Sequence, residues 1–306
     1  MDILLAKPRG FCAGVKRAIA LVRSALEQYG APVYVLHEIV HNTHVLSELR
    51  ALGAVFVENL DEIPAGSRTI FSAHGVAKEV QERAAALGLF TIDATCPLVA
   101  KVHRRITRLH EDGYTLLMLG HRGHPEVQGT CGQVAAPVHV IARPEEVAGL
   151  PVPEGAKVGY VTQTTLSVDD TEELLTALRH RFPGLAEPRH SDICYATSNR
   201  QQAVRELAGL CDLVLIVGSK NSSNSNRLQE VAATRGTPAL LIEDAGDIDP
   251  AWFRGIGRVG VSAGASAPEH LVGDLIARLQ EIAPGNVEEM AGEDEVVRFP
   301  VAAARG

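Results

Sequence analysis

Residues 91–103 read TIDATCPLVAKVH. The lead TIDAT is short and partly β-branched, as a strand is. Pro97 suits the first position of a helix, and LVAKVHRRITRLH repeats its apolar residues at helical spacing. Cys96 thus stands where a predicted strand gives way to a helix, and the partial charge of a helix N-terminus favours thiolate over thiol. Two more cysteines have the same setting. ILLAKPRGFCAGVKRAIALVRSALEQYG (3–30) runs strand, glycine-rich turn, Cys12 and helix, and SDICYATSNRQQAVRELAGL (191–210) gives a short apolar lead, Cys194 and helix. Cys131, in the predicted helix around GTCGQV, and Cys211, which leads into DLVLIV, lack this setting.

The repeat extends beyond the cysteines. After each one, a predicted strand ends in a polar turn that opens a helix: VYVLHEIVHNTHVLSEL (33–49), TLLMLGHRGHPEVQG (115–129) and DLVLIVGSKNSSNSNRLQEV (212–231). His41, His124 and Ser222 mark these turns, at 29, 28 and 28 residues past their cysteines. A second turn follows in TIFSAHGVAKEVQERAAAL (69–87), VGYVTQTTLSVDDTEELLTAL (158–178) and VGVSAGASAPEHLVGDLIARL (259–279), marked by His74, Thr164 and Ser266. The chain is therefore expected to hold three similar small α/β units around a pseudo-threefold, a trefoil-like arrangement enclosing a central cavity. The expected units are 14–96, 97–193, and 1–13 joined to 194–281, with an acidic tail at 282–306 that is either mobile or a cover for the cavity. Short, strongly apolar strands followed by helix starts suit buried parallel sheets, whose carboxyl ends gather ligands.

Composition narrows the function. The chain has 306 residues, 46% hydrophobic and 22% charged, with a net charge of −8 and 4% aromatics. That balance gives no support for nucleic-acid binding or for an anionic membrane surface. No run approaches the ~18 apolar residues of a membrane span and MDILLAKPRG lacks a signal-peptide pattern, so a cytoplasmic location is expected. Five widely spaced cysteines, an odd number, argue against a disulfide framework.

Three converging thiolates can hold zinc with a fourth ligand, or an iron–sulfur cluster with one iron left open. Structural zinc usually takes close cysteine pairs, which are absent, and a [4Fe–4S] cluster suits ligands from separate walls. The polar turns offer His41, Asn42, His74, His124, Thr164, Thr165, Ser222, Ser223, Asn224 and Ser266, a set of neutral or weakly basic donors at helix starts that can hold an anion such as a phosphate. Each Ser, Thr or Asn taken alone is equally an N-cap. Glu126 is the one acid among the turns: a proton donor if its pKa is raised in a dry cavity, or a first-turn glutamate favoured by the helix dipole. Two further patterns mislead. HEIVH (37–41) matches H-E-x-x-H, but the segment reads as strand and not helix; GIGRVG (255–260) matches G-x-G-x-x-G but precedes its strand.

The motifs PRGFCAGV, HEIVHN, FSAHGV, DATCPLV, GHPEV, TQTTLSVDDT, ICYATSNRQ, VGSKNSSNS and GASAP together resemble the 4-hydroxy-3-methylbut-2-enyl diphosphate reductase family, over essentially the whole chain. The resemblance implies a [4Fe–4S] cluster held by Cys12, Cys96 and Cys194. It implies diphosphate contacts from His41, His74, His124, Ser222, Ser223, Asn224 and Ser266, with Thr164 and Glu126 near the substrate hydroxyl and Glu126 as proton donor. The implied reaction is reductive dehydroxylation of (E)-4-hydroxy-3-methylbut-2-enyl diphosphate to isopentenyl and dimethylallyl diphosphate, the last step of the methylerythritol phosphate route to isoprenoids. Reduced ferredoxin or flavodoxin is the implied electron donor. An iron–sulfur sensor that binds a diphosphate without turnover, and a zinc hydrolase, are the competing readings.

Overall fold

The structure, a computed structural model, describes residues 1–153 and 155–301. Its strands are Asp2–Leu5 (β1), Val33–Leu36 (β2), Ala54–Val57 (β3), Arg68–Phe71 (β4), Phe90–Asp93 (β5), Thr115–Leu119 (β6), Val138–Ile141 (β7), Val158–Thr162 (β8), Leu213–Val217 (β9), Ala239–Ile242 (β10), Arg258–Ala263 (β11) and Val287–Glu289 (β12). Its α-helices are Ala13–Tyr29 (α1), Thr43–Ala51 (α2), Lys78–Ala86 (α3), Pro97–Glu111 (α4), Pro125–Cys131 (α5), Val168–Arg181 (α6), Tyr195–Ala208 (α7), Ser223–Thr234 (α8) and Glu269–Ile282 (α9). The strands form three sheets, ordered β3-β2-β4-β5, β7-β6-β8 and β10-β9-β11-β1-β12, and every pairing is parallel. The α/β class and the three small sheets are those the repeat predicts.

The chain divides into two compact units. One comprises 1–16, 41–47 and 195–298 and carries the five-stranded sheet; the other comprises 17–40, 48–153, 155–194 and 299–301 and carries the four- and three-stranded sheets.

The composition of the strands follows from burial on both faces. In β9, Leu213, Leu215 and Val217 pack toward Leu271, Val272, Leu275 and Leu279 of α9, whereas Val214 and Ile216 pack toward Val204 and Leu207 of α7 and Leu228 of α8. In β6, Leu117 and Leu119 join Leu174 and Leu178 of α6, and Leu116 and Met118 join Val102 and Ile106 of α4. Covered on both sides, such strands are apolar along nearly their whole length, and each fully buried branched side chain contributes roughly 1.5–3 kcal/mol.

The three sheets superimpose in logic. In each, a first strand (β2, β6 or β9) pairs with a flanking strand (β3, β7 or β10) and with a second strand (β4, β8 or β11). His41, His124 and Ser222 each lie five residues beyond the end of the first strand. Beyond the second strand lies β5 in one sheet and β1 in another. In the three-stranded sheet a single parallel bridge, Gly159 to Ala186, takes that place.

One expected strand is corrected, and of the two readings of the tail, mobile or a cover, the first falls. The strand expected to run through VYVLHEIV stops at Leu36, because His37 adopts a left-handed φ of 60° and its N–H donates to the Val57 carbonyl (2.8 Å). HEIVH is thus a bend, with His37 Nδ1 3.0 Å from Glu58 Oε2; lacking a helix, it has no shared i, i+4 face for zinc. The described part of the acidic tail is also docked: β12 pairs with β1, the Met290 N–H donates to the Leu5 carbonyl (2.9 Å), and Met290 packs on the core. GIGRVG, expected to be a loop ahead of its strand, is loop only over 255–257; 258–260 already belong to β11.

Gly129 of α5 faces the loop after β4 so closely that a Cβ would lie 2.9 Å from the Gly75 carbonyl oxygen. Gly129→Ala should therefore cost about 1–3 kcal/mol and lower the calorimetric melting temperature by several degrees. An unchanged Tm would mean that the two backbones can part freely.

Candidate functional site

Each of the three matched cysteines is anchored in the same way. The backbone carbonyl two residues past the end of β4, β8 and β11 accepts the N–H of a cysteine: Ala73 from Cys96 (3.0 Å), Thr164 from Cys194 (3.0 Å) and Ala265 from Cys12 (3.1 Å). Each cysteine immediately precedes a helix, and Cys96 is the N-cap of α4 with Pro97 in the first turn. All three thiols are half-buried. Cys131 and Cys211 lack this anchor, and burial pushes their thiols up to about 11.

In the larger unit the anchoring continues into a connected polar set. Glu126 is 2% exposed, at the start of α5, where His124 Nδ1 caps the helix by accepting the Glu126 N–H (3.1 Å). The Thr164 N–H donates to Glu126 Oε1 (2.6 Å) and the Thr164 hydroxyl to Oε2 (3.0 Å). Burial raises the carboxyl pKa to about 7. The two Thr164 hydrogen bonds oppose that rise and the Asp192 charge adds slightly to it, so desolvation wins. The same Thr164 carries the carbonyl that anchors Cys194. On the other side, the His124 ring meets His74 edge-on, with centroids 5.7 Å apart, and His74 follows the Ala73 carbonyl that anchors Cys96. Cys96, His74, His124, Glu126, Thr164 and Cys194 are thereby brought together.

Glycine makes room at two of these contacts. Gly75 adopts φ 76°, and a Cβ there would lie 2.6 Å from the His103 ring, which burial holds neutral with a pKa of about 4. Gly120 lies against Gln163, whose Oε1 accepts the His121 N–H (3.1 Å) and whose Nε2 donates to the Thr165 hydroxyl (2.9 Å).

In the other unit, the Ser222 hydroxyl caps α8 by accepting the Ser225 N–H (3.3 Å), and the Ser225 hydroxyl donates to it at 3.0 Å. A Cβ on Gly218 or on Gly264 would lie 2.2 or 2.1 Å from Ser225 Oγ, so both strand exits require glycine. Asn224 is buried, and among the described residues neither its Nδ2 nor its Oδ1 has a hydrogen-bond partner. Leaving one such group bare costs roughly 1–3 kcal/mol, so Asn224 is a candidate for a ligand contact. Ser266 donates its hydroxyl to the His41 carbonyl (2.9 Å), and Asn42 Oδ1 caps α2 by accepting the Val45 N–H (3.0 Å). Ser223 opens α8 beside them.

Asp192, Gln163 and Arg200 belong to this framework and were not singled out from sequence. Asp192 is buried, and burial raises its carboxyl pKa against the pull of Lys101, whose Nζ is 3.3 Å away. A buried acid two residues before a cysteine has no periodic signature. Among the described residues, no three His, Cys, Asp or Glu side chains are grouped as one metal ion would need. A separate groove of about 720 Å³ is lined by Lys101, Arg104, Arg105, Arg108 and Arg189, and none of the candidate residues faces it.

A family model described as LytB protein matches residues 3–280. A 4-hydroxy-3-methylbut-2-enyl diphosphate reductase from Azoarcus sp. is 56% identical over 98% of this chain and 96% of its own length. One from Dechloromonas aromatica is 54% identical over 98% of each. The solved structure of the E-1-hydroxy-2-methyl-but-2-enyl-4-diphosphate reductase from Plasmodium falciparum matches with a TM-score of 0.95 at 35% identity, covering 98% of this chain and 95% of that one. A second solved structure, of an (E)-4-hydroxy-3-methyl-but-2-enyl diphosphate reductase described as the terminal enzyme of the non-mevalonate pathway, matches at 0.66 and 36% identity over 92% of this chain.

The raised carboxyl of Glu126 has a consequence for stability. Between the ordinary value of 4.5 and about 7 the folded state holds a proton that the unfolded state has lost, so this contribution declines as pH rises through that window and then levels off. Denaturant midpoints of metal-free protein should fall from pH 5 to 7, and Glu126→Gln should flatten the decline. Parallel profiles for the two proteins would place the carboxyl at its ordinary value.

Proposed function

Because the chain belongs to the LytB family, we propose that it catalyses reductive dehydroxylation of (E)-4-hydroxy-3-methylbut-2-enyl diphosphate to isopentenyl and dimethylallyl diphosphate, as the names of its relatives suggest. The observation that carries the reading is Glu126, a buried acid half-protonated near neutrality and bonded to the residue that anchors Cys194. Overall, two electrons and two protons convert the C–OH bond into C–H and water.

Cys12, Cys96 and Cys194 are the proposed ligands of a [4Fe–4S] cluster. The donor set fits: three half-buried thiols with one common backbone anchor, and no fourth cysteine that shares it. Bound there, such a cluster would supply electrons one at a time and a Lewis-acidic iron with an open position. Reduced ferredoxin or flavodoxin is the proposed source of those electrons.

The remaining steps belong to this chain's side chains. Glu126 donates its proton to the departing hydroxyl oxygen, which leaves as water. A pKa of about 7 suits that task, since the acid is loaded at working pH and still strong enough to give the proton up. Thr164 holds the carboxyl in place by two hydrogen bonds, through its backbone and its hydroxyl. His41, His74, His124, Ser222, Ser223, Asn224 and Ser266 are the proposed diphosphate contacts, and the bare amide of Asn224 gives that assignment its best support. Protonation at either end of the allyl system then yields the two isomeric products.

Protein prepared without air should be brown and carry about four iron per chain, the content of a cubane cluster. Cys96→Ser should abolish that content, whereas Cys131→Ser should retain it. Colourless protein, or iron loss in Cys131→Ser as well, would overturn the ligand assignment. With substrate and a chemical reductant, Glu126→Gln should bind the diphosphate normally and turn over ~10²-fold slower, the usual scale for a lost general acid. Turnover near the wild-type rate would remove Glu126 from the reaction.

A further inference from the structure

Arg200 is the largest fully buried side chain of the described residues, and it lies on α7, the helix that follows Cys194. The proposed reaction has no use for a guanidinium there. Its donors are nonetheless fully engaged. Nε (3.1 Å) and Nη2 (2.7 Å) donate to the Gly10 carbonyl, and Nη1 donates to the Ala196 carbonyl (2.9 Å). Nη1 and Nη2 also form a fork on Glu295, to Oε1 at 2.9 Å and to Oε2 at 3.0 Å. A buried guanidinium is tolerated only with a counterion, and among the described residues Glu295 is the one provided.

Gly10 stands two residues before Cys12. Its φ of 66° is left-handed, and a Cβ would press on the Ala267 carbonyl oxygen and on Glu269 Oε2, each at 3.3 Å. The Gly10 N–H donates to the Ala263 carbonyl (3.1 Å) and the Cys12 N–H to Ala265. The loop is therefore held at its two N–H groups by the exit of β11 and at the Gly10 carbonyl by Arg200. The segment that delivers Glu295 is fastened beside the same loop. Arg9 pairs with Glu289 (2.7 Å) and Glu269 (2.6 Å), and Lys7 Nζ reaches Glu289 (3.5 Å).

We propose that Arg200 and Glu295 are positioning residues for Cys12. Glu295, brought in by the C-terminal segment, neutralises and orients the Arg200 guanidinium, and Arg200 fixes the Gly10 carbonyl and hence the loop that presents the thiol. Its importance for the reaction rests on the reading of Cys12 as a cluster ligand. The last described turns of the chain are then part of the ligand scaffold, not an appendage.

The test uses the full chain. In metal-free protein, alkylation rates of Cys12, Cys96 and Cys194 are measured separately by peptide mass spectrometry. Glu295→Gln should raise the Cys12 rate ~10-fold, the scale of losing a charge-assisted hydrogen bond, while Cys96 and Cys194 keep theirs. Arg200→Lys, whose single ammonium cannot make the fork, should act in the same direction. Asp294→Asn is the control: its side chain is 84% exposed and its pair with Lys7 should not matter. In iron-loaded protein, chelator-driven iron release should quicken in Glu295→Gln and not in Asp294→Asn. An equal rise at all three cysteines, or none at Cys12, would overturn the proposal. Wild-type protein without iron and sulfide would instead overturn the cluster reading and leave the thiol result standing.

Discussion

Three backbone hydrogen bonds set the frame of this protein. In each sheet the second strand ends, the chain runs on two residues, and the carbonyl found there receives the N–H of a cysteine at the start of a helix. A buried parallel strand must satisfy its backbone groups along its whole length, and the first residues beyond it still carry groups in need of partners. Using a cysteine N–H for that purpose ties the sulfur's position to the sheet. It also makes the turn residues that follow the anchoring carbonyl, His74, Thr165 and Ser266, equivalent by structure. Thr164, the marker taken from sequence, is displaced by one residue from His74 and Ser266, because it serves both as the anchor for Cys194 and as the partner of Glu126.

The chemistry concentrates where competing electrostatic effects nearly balance. Two hydrogen bonds from Thr164 favour the Glu126 carboxylate, and complete burial disfavours it more strongly. A glutamate at an exposed helix start would have settled as an ionised dipole partner. Enclosed in this unit, the same residue becomes an acid. In the same unit, burial keeps His103 neutral and raises the Asp192 pKa against the pull of Lys101.

Polar groups left bare and glycines forced by contact mark the second half of the candidate set. Gly218 and Gly264 both give way to Ser225, which in turn fixes Ser222 at the head of α8, while Asn224 keeps its amide unbonded. Among the described residues other buried polar atoms also lack a partner, the hydroxyls of Thr69, Thr130 and Ser262 among them, but Asn224 leaves both ends of its amide bare. The C-terminal segment belongs to the same economy of fixed parts, since its Glu295 neutralises an arginine that would otherwise be intolerable inside α7.

Much of this was legible from residues alone. Apolar runs such as LVLIV announced strands covered on both faces, and the repeated strand–turn–helix grammar around Cys12, Cys96 and Cys194 announced three related sheets. Both are local consequences of side-chain size and polarity, which sequence carries directly. What periodicity could not carry is where long-range contacts fall. That β2 stops at Leu36, that the tail adds a strand to β1, that Arg200 is buried against Gly10 and Glu295, and that Glu126 is dry enough to keep a proton all depend on segments 21 to 284 residues apart meeting in space. Secondary structure and residue chemistry are written along the chain; desolvation and ion pairing exist only once the chain has folded back on itself.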